Sequence, residues 1–175
     1  MLDFTSSNAS ILHQTGEKPV ENSEALDQFD LAILRILQKD NTVAQRVIGE
    51  QVNLSAPSVQ RRIKRLEASG IIAAQTAIVD PARLNRALTI VVEVELNVET
   101  GGTIDLVKKS FMDAPEVQQC YYVTGEADFV LIVVVQDMSE YEDLTQRLFF
   151  SNQTIKKFKT FVTMDRTKVS LQIDI

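Results

Sequence analysis

The sequence predicts an α+β fold, in which an N-terminal winged helix-turn-helix domain is joined to a C-terminal ferredoxin-like (βαββαβ) domain. Residues 26–70 repeat apolar side chains at helical spacing in three successive segments. Residues 88–173 instead place two helical segments between β-prone runs, in the order β-α-β-β-α-β. The charge changes at the same boundary, since residues 26–80 hold seven basic and six acidic side chains and residues 88–175 hold eight and fourteen. We therefore expect two domains with different tasks.

Composition narrows the class of protein. The 175 residues are 45% hydrophobic and 24% charged, which is ordinary for a soluble globular chain. The single cysteine, Cys120, excludes an intramolecular disulfide and a cysteine-based zinc site. No apolar run approaches the roughly 18 residues of a membrane helix, and the N-terminus lacks a signal-peptide pattern. We expect a cytoplasmic protein with no bound metal or cofactor, in which Cys120 is a small core residue.

The first 25 residues are predicted to form a disordered arm, because they show no sustained periodicity and are rich in Ser, Asn and Glu. One basic and four acidic side chains in this arm argue against a contact with DNA. The only histidine of the chain, His13, lies here and is therefore a poor candidate for catalysis or for binding a metal.

Two helices are expected next. Asp27 is a suitable N-cap for the first helix, which should end near Lys39, before a break at Asn41, a residue that accepts a left-handed conformation. The second helix should span about residues 43–51, and Gly49 within it allows another helix to approach closely. The apolar positions of the two helices are Leu26, Ile33, Leu34, Leu37, Val43, Val47, Ile48 and Val52.

A third, basic helix is predicted over residues 55–69, after a short turn in which Asn53 supplies the left-handed conformation. Ser55 is a natural N-cap for this helix, and Gly70 is a natural stop. Its inward stripe consists of Val59, Ile63 and Leu66. Its outward face carries only basic or uncharged groups, and the segment has a net charge of +3 in a chain of net charge −6.

This concentration of positive charge on one helix face favours a helix that lies in a DNA groove. The alternative is a surface helix whose charges only keep it solvated, as charge runs usually do. The candidate DNA-binding residues are Ser55, Pro57, Ser58, Gln60, Arg61, Lys64 and Arg65.

After the basic helix, residues 71–79 are β-prone and end at Asp80 and Pro81, which predicts a short strand or wing beside the helices. A linker is expected at residues 81–87. Its Arg83 and Arg86 either extend the basic surface or are simply solvated.

The C-terminal domain, residues 88–175, is predicted to contain two helices and a sheet with one strand more than the ferredoxin-like plan. Thr103 is the expected N-cap of the first helix. Asp137 is the expected N-cap of the second helix and should form a capping box with Glu140. The strands are expected at residues 88–96, 117–123, 129–135, 155–164 and 169–173. The inward helix residues are expected to be Ile104, Val107, Phe111, Tyr141, Leu144 and Leu148.

The strand at residues 129–135 is apolar at every position, so both of its faces need to be covered. Two helices shield only one face of such a sheet. We expect the other face to meet a second copy of the chain, sheet against sheet, in a homodimer.

Taken together, these motifs resemble those of the Lrp/AsnC (leucine-responsive, or feast/famine) transcriptional regulators over about 150 residues. The matching positions are Leu26, Asp27, Asp30, Ile33, Leu34, Leu54, Ser55, residues 59–67, residues 70–72, Gly125, Asp128 and residues 137–139. The sequence departs from the family pattern at Asn41 and Asn53, which replace glycines, and at residues 151–154, which replace a Pro-Gly turn. Residues 1–25 have no counterpart.

The resemblance implies a DNA-binding regulator whose second domain dimerises, assembles further, with an octamer expected, and binds a small effector, an amino acid such as leucine or methionine. The implied effector-binding residues are Tyr122, Thr124, Gly125, Asp128, Met138, Phe161, Val162 and Thr163. A carboxylate such as Asp128 suits an ammonium group, and a glycine loop exposes N–H groups for a carboxylate. The alternative is that Gly125 and Asp128 only form a hairpin turn and that Met138 only packs at a helix start.

Two other functions compete with this one. An enzyme on a ferredoxin-like scaffold is possible in principle, because a fold does not determine a function. The second domain, however, has no histidine, no nucleophile-base spacing and no Gly-rich phosphate loop. An amino-acid-binding oligomeric module that acts through protein partners is the other alternative, and the basic helix face argues against it. We expect a binding protein rather than an enzyme.

Overall fold

The computed structural model describes residues 25–97 and 101–175, so the predicted arm with His13 lies outside the described residues apart from its last position. The helices are α1 (Gln28–Leu37), α2 (Gln45–Val52), α3 (Ala56–Ala68), α4 (Gly101–Met112) and α5 (Met138–Thr145), with a 3₁₀ turn at Pro81–Leu84 and a π-helical turn at Gln146–Phe150. The strands are β1 (Leu88–Leu96), β2 (Val117–Tyr122), β3 (Phe129–Val135) and β4 (Ile155–Val162). The chain divides into two compact units. The first consists of residues 25–76 together with Leu171–Ile175, and the second is Ala77–Ser170.

The first unit begins at Asp27, which is the N-cap of α1 as predicted and also forms a capping box with Asp30. Its carboxylate accepts the N–H groups of Phe29 and Asp30 at 2.9 Å, and the Asp30 carboxylate accepts the Asp27 N–H at 3.1 Å. Three helices then share one apolar core. Its buried residues are Ile33, Ile48, Val52, Val59 and Ile63.

The turn between α2 and α3 follows from two residues. Asn53 has φ 57°, so the predicted left-handed conformation is confirmed. A Cβ atom at Gly49 would lie well inside van der Waals contact with the carbonyl oxygen of Leu54, whose N–H donates to the Gly49 carbonyl at 2.9 Å. The close approach expected at Gly49 is therefore real, but the neighbour is the backbone of the turn rather than another helix.

Two details of this unit differ from what the sequence suggested. Ser55 does occupy the N-cap position of α3, but its hydroxyl pairs with Ser58 Oγ at 2.9 Å and makes no capping bond. Asn41 is not left-handed, because Asn53 and Asn85 are the non-glycine residues with positive φ in the described part of the chain.

Two predicted strands are also absent from the described residues. Residues 73–80 and 165–175 have no regular secondary structure. Both segments have β-prone, exposed side chains, with Ile78 88% and Leu171 79% exposed, but neither has a neighbouring strand with which to pair. Leu171–Ile175 instead packs with the first unit. Ile173 forms a reciprocal pair of backbone hydrogen bonds with the side chain of Gln38, the C-cap residue of α1, at 2.8 and 3.2 Å.

The second unit is the predicted βαββαβ fold with four strands, in the order β2-β3-β1-β4 and antiparallel throughout. β3 has the bounds expected from its sequence, and β2 and β4 end one and two residues earlier than expected. The side chains that face the helices are fully buried along β1 and β3. They are Ile90, Val92 and Val94 on β1, with Phe129, Leu131, Val133 and Val135 on β3.

Both helices of this unit pack on one face of the sheet. Val107, Phe111, Tyr141, Leu144 and Leu148 are buried as predicted. The prediction of Thr103 as the N-cap of α4 is wrong, because the helix already begins at Gly101 and Thr103 lies inside it.

Asp137 caps α5 by accepting the N–H groups of Ser139 and Glu140 at 2.9 and 3.0 Å, as predicted. The Glu140 carboxylate reaches back one residue further than a capping box requires, to the Gln136 N–H at 2.7 Å. Cys120 is partly buried against the core, and this burial raises the pKa of its thiol.

The opposite face of the sheet carries the other side chains of β3, namely Val130, Ile132 and Val134, and these are only half-buried. The alternation arises because successive residues of a strand point to opposite faces. One face of this apolar strand is thus covered by helices, and the other is open within a single chain.

The first prediction concerns Gly49. Gly49→Ala places a methyl group against a backbone carbonyl that cannot rotate away, so the α2–α3 turn must shift. We expect the free energy of unfolding to fall by about 1–3 kcal/mol, the usual cost of overpacking, as measured by urea denaturation.

Gly102→Ala is the matched control, because a Cβ at this helical glycine meets nothing within 4 Å. It should leave stability unchanged or raise it by up to about 1 kcal/mol through helix propensity. Equal stability of the Gly49 and Gly102 variants would contradict the close approach at Gly49.

Candidate DNA-binding surface and effector site

The exposed face of α3 carries most of the predicted DNA-binding residues. α3 is oriented by its buried stripe, Val59, Ile63 and Leu66, which are 0, 8 and 0% exposed. The opposite side is solvent-facing. Of the predicted residues, Ser55, Pro57, Gln60, Arg61 and Lys64 are exposed, and Ser58 and Arg65 are half-buried.

Arg65 was predicted to point outward, but its side chain instead reaches α1. Its Nη2 donates to Asp30 Oδ2 at 2.5 Å, and its side chain is 39% exposed. The physical reason is that Asp30 is fully buried on α1 beside this edge of α3, and a buried carboxylate needs donors. Asp30 was noted in the sequence only as a family match. Its position three residues after the N-cap Asp27 was the available signal.

Arg62, the other arginine at this edge, joins the same cluster. Its Nη1 donates to Asp30 Oδ1 at 2.8 Å and to Asp27 Oδ2 at 2.7 Å, and its guanidinium lies 5.5 Å from the ring centroid of Phe29. The hydrogen bonds to Asp30 and then to Asp27 raise the pKa of the Arg62 guanidinium. The pKa of Asp27 is lowered, chiefly by the N–H of Asp30.

The predicted effector residues fall into two groups at opposite ends of the sheet. Tyr122 of β2 pairs with Phe129 of β3, which lies beside the C-terminal end of β1, close to Leu96. The loop of residues 124–128 joins β2 to β3 at this same end of the sheet. Phe161 and Val162 pair with Val91 and Ile90 near the other end. Thr163 and Met138 also lie at this second end. The Ile90–Leu96 separation along β1 is about 20 Å at the rise of an antiparallel strand, so the two groups do not meet within one chain.

Asp128 has a well-defined structural role. Its Oδ2 accepts the Leu96 N–H at 2.6 Å, its N–H donates to the Val94 carbonyl at 2.9 Å, and its carbonyl accepts the Val123 N–H at 2.8 Å. Gly125 has φ 145°, and a Cβ there would meet nothing within 4 Å. The loop is therefore a tight hairpin held to β1, with one carboxylate oxygen of Asp128 committed to the backbone.

A cation and an aromatic ring lie at the same end of the sheet. The Lys108 Nζ is 4.8 Å from the ring centroid of Tyr122, whose ring is also 5.1 Å from that of Phe129. Tyr122 is 46% exposed, so this arrangement is accessible from solvent.

Cross-strand ion pairs, which the sequence analysis missed, adjoin this loop. β1 and β4 place Glu95 opposite Lys157 and Glu93 opposite Lys159, with ammonium–carboxylate distances of 2.8 and 3.6 Å. Lys156 also lies 2.9 Å from Glu95. The hydrogen bonds from Lys157 and then Lys156 lower the pKa of Glu95 to about 2. The alternation of Glu on one strand and Lys on the other was the available sequence signal.

Within residues 25–97 and 101–175, no three His, Cys, Asp or Glu side chains are grouped so that they could hold a metal ion. Within the same residues, no helix is long and apolar enough to cross a membrane.

Comparison with known proteins identifies the family. Residues 26–73 match the model of the winged helix-turn-helix DNA-binding domain, and residues 89–173 match that of the Lrp/AsnC ligand binding domain. An HTH-type transcriptional regulator of Sinorhizobium fredii is 43% identical over 150 residues, 86% of this chain and 89% of that protein. The chain belongs to the Lrp/AsnC family of transcriptional regulators.

Two further relatives agree with this assignment. The leucine-responsive regulatory protein of Escherichia coli is 31% identical over 150 residues, 86% of this chain and 92% of that protein. The crystal structure of a Neisseria meningitidis transcriptional regulator in complex with L-Met has a TM-score of 0.80 and 25% identity, and covers 86% of this chain and 97% of its own. As an Lrp/AsnC member, the chain is a DNA-binding transcriptional regulator with a ligand-binding domain.

The second prediction concerns the pH dependence of stability at Glu95. Its folded pKa of about 2 lies below the ordinary value of 4.5, so its pairing with Lys157 and Lys156 stabilises the fold above pH 4.5. This contribution is lost as the pH falls from 4.5 towards 2. Glu95→Gln should lower the melting temperature at pH 7, and the difference from wild type should shrink steadily through that acidic range.

Glu126→Gln is the control, because Glu126 is 94% exposed and lies 4.0 Å from Lys159. It should change the melting temperature little at any pH. A deficit of the Glu95 variant that is the same at every pH would show that the ion pairs are not its cause.

Proposed function

We propose that α3 is the recognition helix and that a dimer of this regulator reads a palindrome-like DNA site through it. The observation that carries the proposal is the exposed face of α3, on which Arg61 and Lys64 have no ion-pair partner among the described residues. Ser55, Pro57, Ser58 and Gln60 surround them at the N-terminal end. In helix-turn-helix proteins this end of the recognition helix contacts base edges.

The third prediction tests this assignment. Arg61→Ala should weaken binding to the preferred site more than to random DNA, because arginine pairs with base edges as well as phosphates. Lys64→Ala should weaken binding to all sequences similarly and reduce the slope of log K against log salt by about 0.9. Fluorescence anisotropy over a salt series, on a site selected by the wild-type protein from random duplexes, measures both quantities.

Lys39→Ala is the matched control, since it removes an exposed lysine that follows α1 in the same unit. It should leave both the preference and the slope unchanged. If the Arg61 and Lys64 variants behave like the Lys39 variant, α3 does not read the DNA.

The effector is proposed to be an amino acid. The support is the ligand-binding domain of the family, together with the relative whose structure contains L-Met. The Gly125–Asp128 end of the sheet offers an exposed loop, charges of both signs and the Tyr122 ring. Since the second group of predicted residues, Met138 and Phe161 to Thr163, lies about 20 Å away along β1, it reaches this end only from a second copy of the chain.

The fourth prediction separates a ligand-binding role of Asp128 from its turn role. Asp128→Asn keeps an acceptor for the Leu96 N–H but removes the negative charge. If the charge pairs with a ligand ammonium, the variant should retain its melting temperature and DNA affinity but lose amino-acid affinity by about 2 kcal/mol or more. A calorimetric screen of the twenty amino acids with wild-type protein identifies the ligand for this comparison.

Asp40→Asn provides the control, because it makes the same change in another carboxylate that accepts a backbone N–H, that of Thr42 at 2.8 Å, in the DNA-binding unit. It should leave amino-acid affinity unaltered. Unchanged affinity in the Asp128 variant as well would leave Asp128 as a turn residue only.

Assembly is also part of the proposal. The open sheet face displays Val91, Val130, Ile132 and Val134, an apolar surface that suits a second copy packed sheet against sheet. Such homodimers would assemble further, to the octamer expected from the family. Light scattering at micromolar concentration should therefore give at least a dimer.

The protein is further proposed to act by binding rather than by catalysis, and to do so in the cytoplasm, the compartment that contains the DNA.

A further inference from the structure

We propose that Asp30 is a positioning residue that sets the sequence preference of DNA binding. It fixes α3 against α1 and withholds Arg62 and Arg65 from the phosphate backbone. In this arrangement Arg61 and Lys64 are the basic residues of α3 that contact DNA. The inference rests on the proposal that α3 reads DNA, and extends it to a residue that touches no DNA.

The geometry around Asp30 is that of a saturated buried carboxylate. The residue is 0% exposed. Its Oδ1 accepts from Arg62 Nη1 at 2.8 Å, and its Oδ2 accepts from Arg65 Nη2 at 2.5 Å and from the Asp27 N–H at 3.1 Å. The two arginines are three residues apart on α3, so their side chains leave the same side of the helix one turn apart.

These bonds specify the orientation of α3 more sharply than its apolar stripe does. Contacts among Val59, Ile63 and the α1 and α2 side chains are non-directional, and a small rotation of the helix preserves most of their burial. Charge-assisted bonds from two successive helical turns to one fixed carboxylate tolerate no such rotation. Because base contacts depend on the exact direction of side chains such as Arg61, this anchor acts on specificity.

The same bonds change the charge that α3 presents. Four basic side chains lie on the helix, but Arg62 and Arg65 are neutralised by Asp27 and Asp30 on α1. Non-specific binding grows with the number of phosphates neutralised. Holding Arg65 at Asp30 therefore lowers affinity for random DNA, while the same bonds keep α3 in the orientation that the base contacts need. Arg65 is 39% exposed, so it would reach solvent if the Asp30 charge were removed.

The decisive experiment uses the full chain with two duplexes, the site selected by wild-type protein from random DNA and a scrambled duplex of the same composition. Asp30→Asn should steepen the salt slope on scrambled DNA by about 0.9, the value for one added phosphate contact. The ratio of specific to scrambled affinity should fall by about tenfold. Asp40→Asn removes the same charge from an exposed site on this unit and should change neither quantity.

Arg65→Gln tests the proposal without changing the buried Asp30. It keeps the proposal testable if circular dichroism shows that the Asp30→Asn variant does not fold. If Asp30 withholds Arg65, Arg65→Gln leaves the scrambled-DNA slope unchanged but lowers the affinity ratio. Lys64→Gln, one residue away, lowers the slope by about 0.9.

Two outcomes overturn the proposal. Equal loss of slope in the Arg65 and Lys64 variants would make Arg65 an ordinary phosphate contact. Equal weakening of both duplexes by Asp30→Asn, at an unchanged slope, would make Asp30 a stability residue only. An unchanged slope in the Lys64 variant is a different failure, because it removes α3 as the DNA-reading element and with it the proposed function.

Discussion

The buried carboxylate of Asp30 is the constraint on which the DNA-binding unit depends. A carboxylate with no solvent contact is costly unless donors surround it, and its donors here come from the start of α1 and from two turns of α3. The cluster therefore joins the N-terminal cap of α1 to one side of α3, the proposed recognition helix. The apolar core makes the three helices pack, and this charged cluster holds one side of α3 against α1.

The ligand-binding domain is organised by a one-sided sheet. The helices cover the face that carries Ile90, Leu131 and their neighbours, while the face that carries Ile132 is open in a single chain. The antiparallel register also separates the predicted effector residues into two distant groups. Both features support the proposed assembly, in which a second copy of the chain covers the apolar face and brings the two groups of residues together.

Local chemistry made much of this predictable. Asp27 and Asp137 cap helices because carboxylates accept the free N–H groups of a first turn, and Asn53 is left-handed because a short turn needs that conformation. The strand at Phe129–Val135 was evident from its unbroken apolar run. Prediction failed at residues 71–79 and 169–173, because β-propensity does not supply the partner that a strand needs, and none is present in the described chain.

By itself, the sequence determined the order of the five α-helices and of the four strands that pair, the family and the basic face of the third helix, because periodicity, capping and charge are local properties of the chain. Only the tertiary structure decided which of the basic residues are available. A helical wheel places Arg65 on the outward face, but the direction of its side chain depends on a buried acid 35 positions earlier. Tertiary structure likewise bound Asp128 to Leu96 and paired Glu95 with Lys157, because hydrogen bonds and ion pairs between strands depend on a register that no single segment contains.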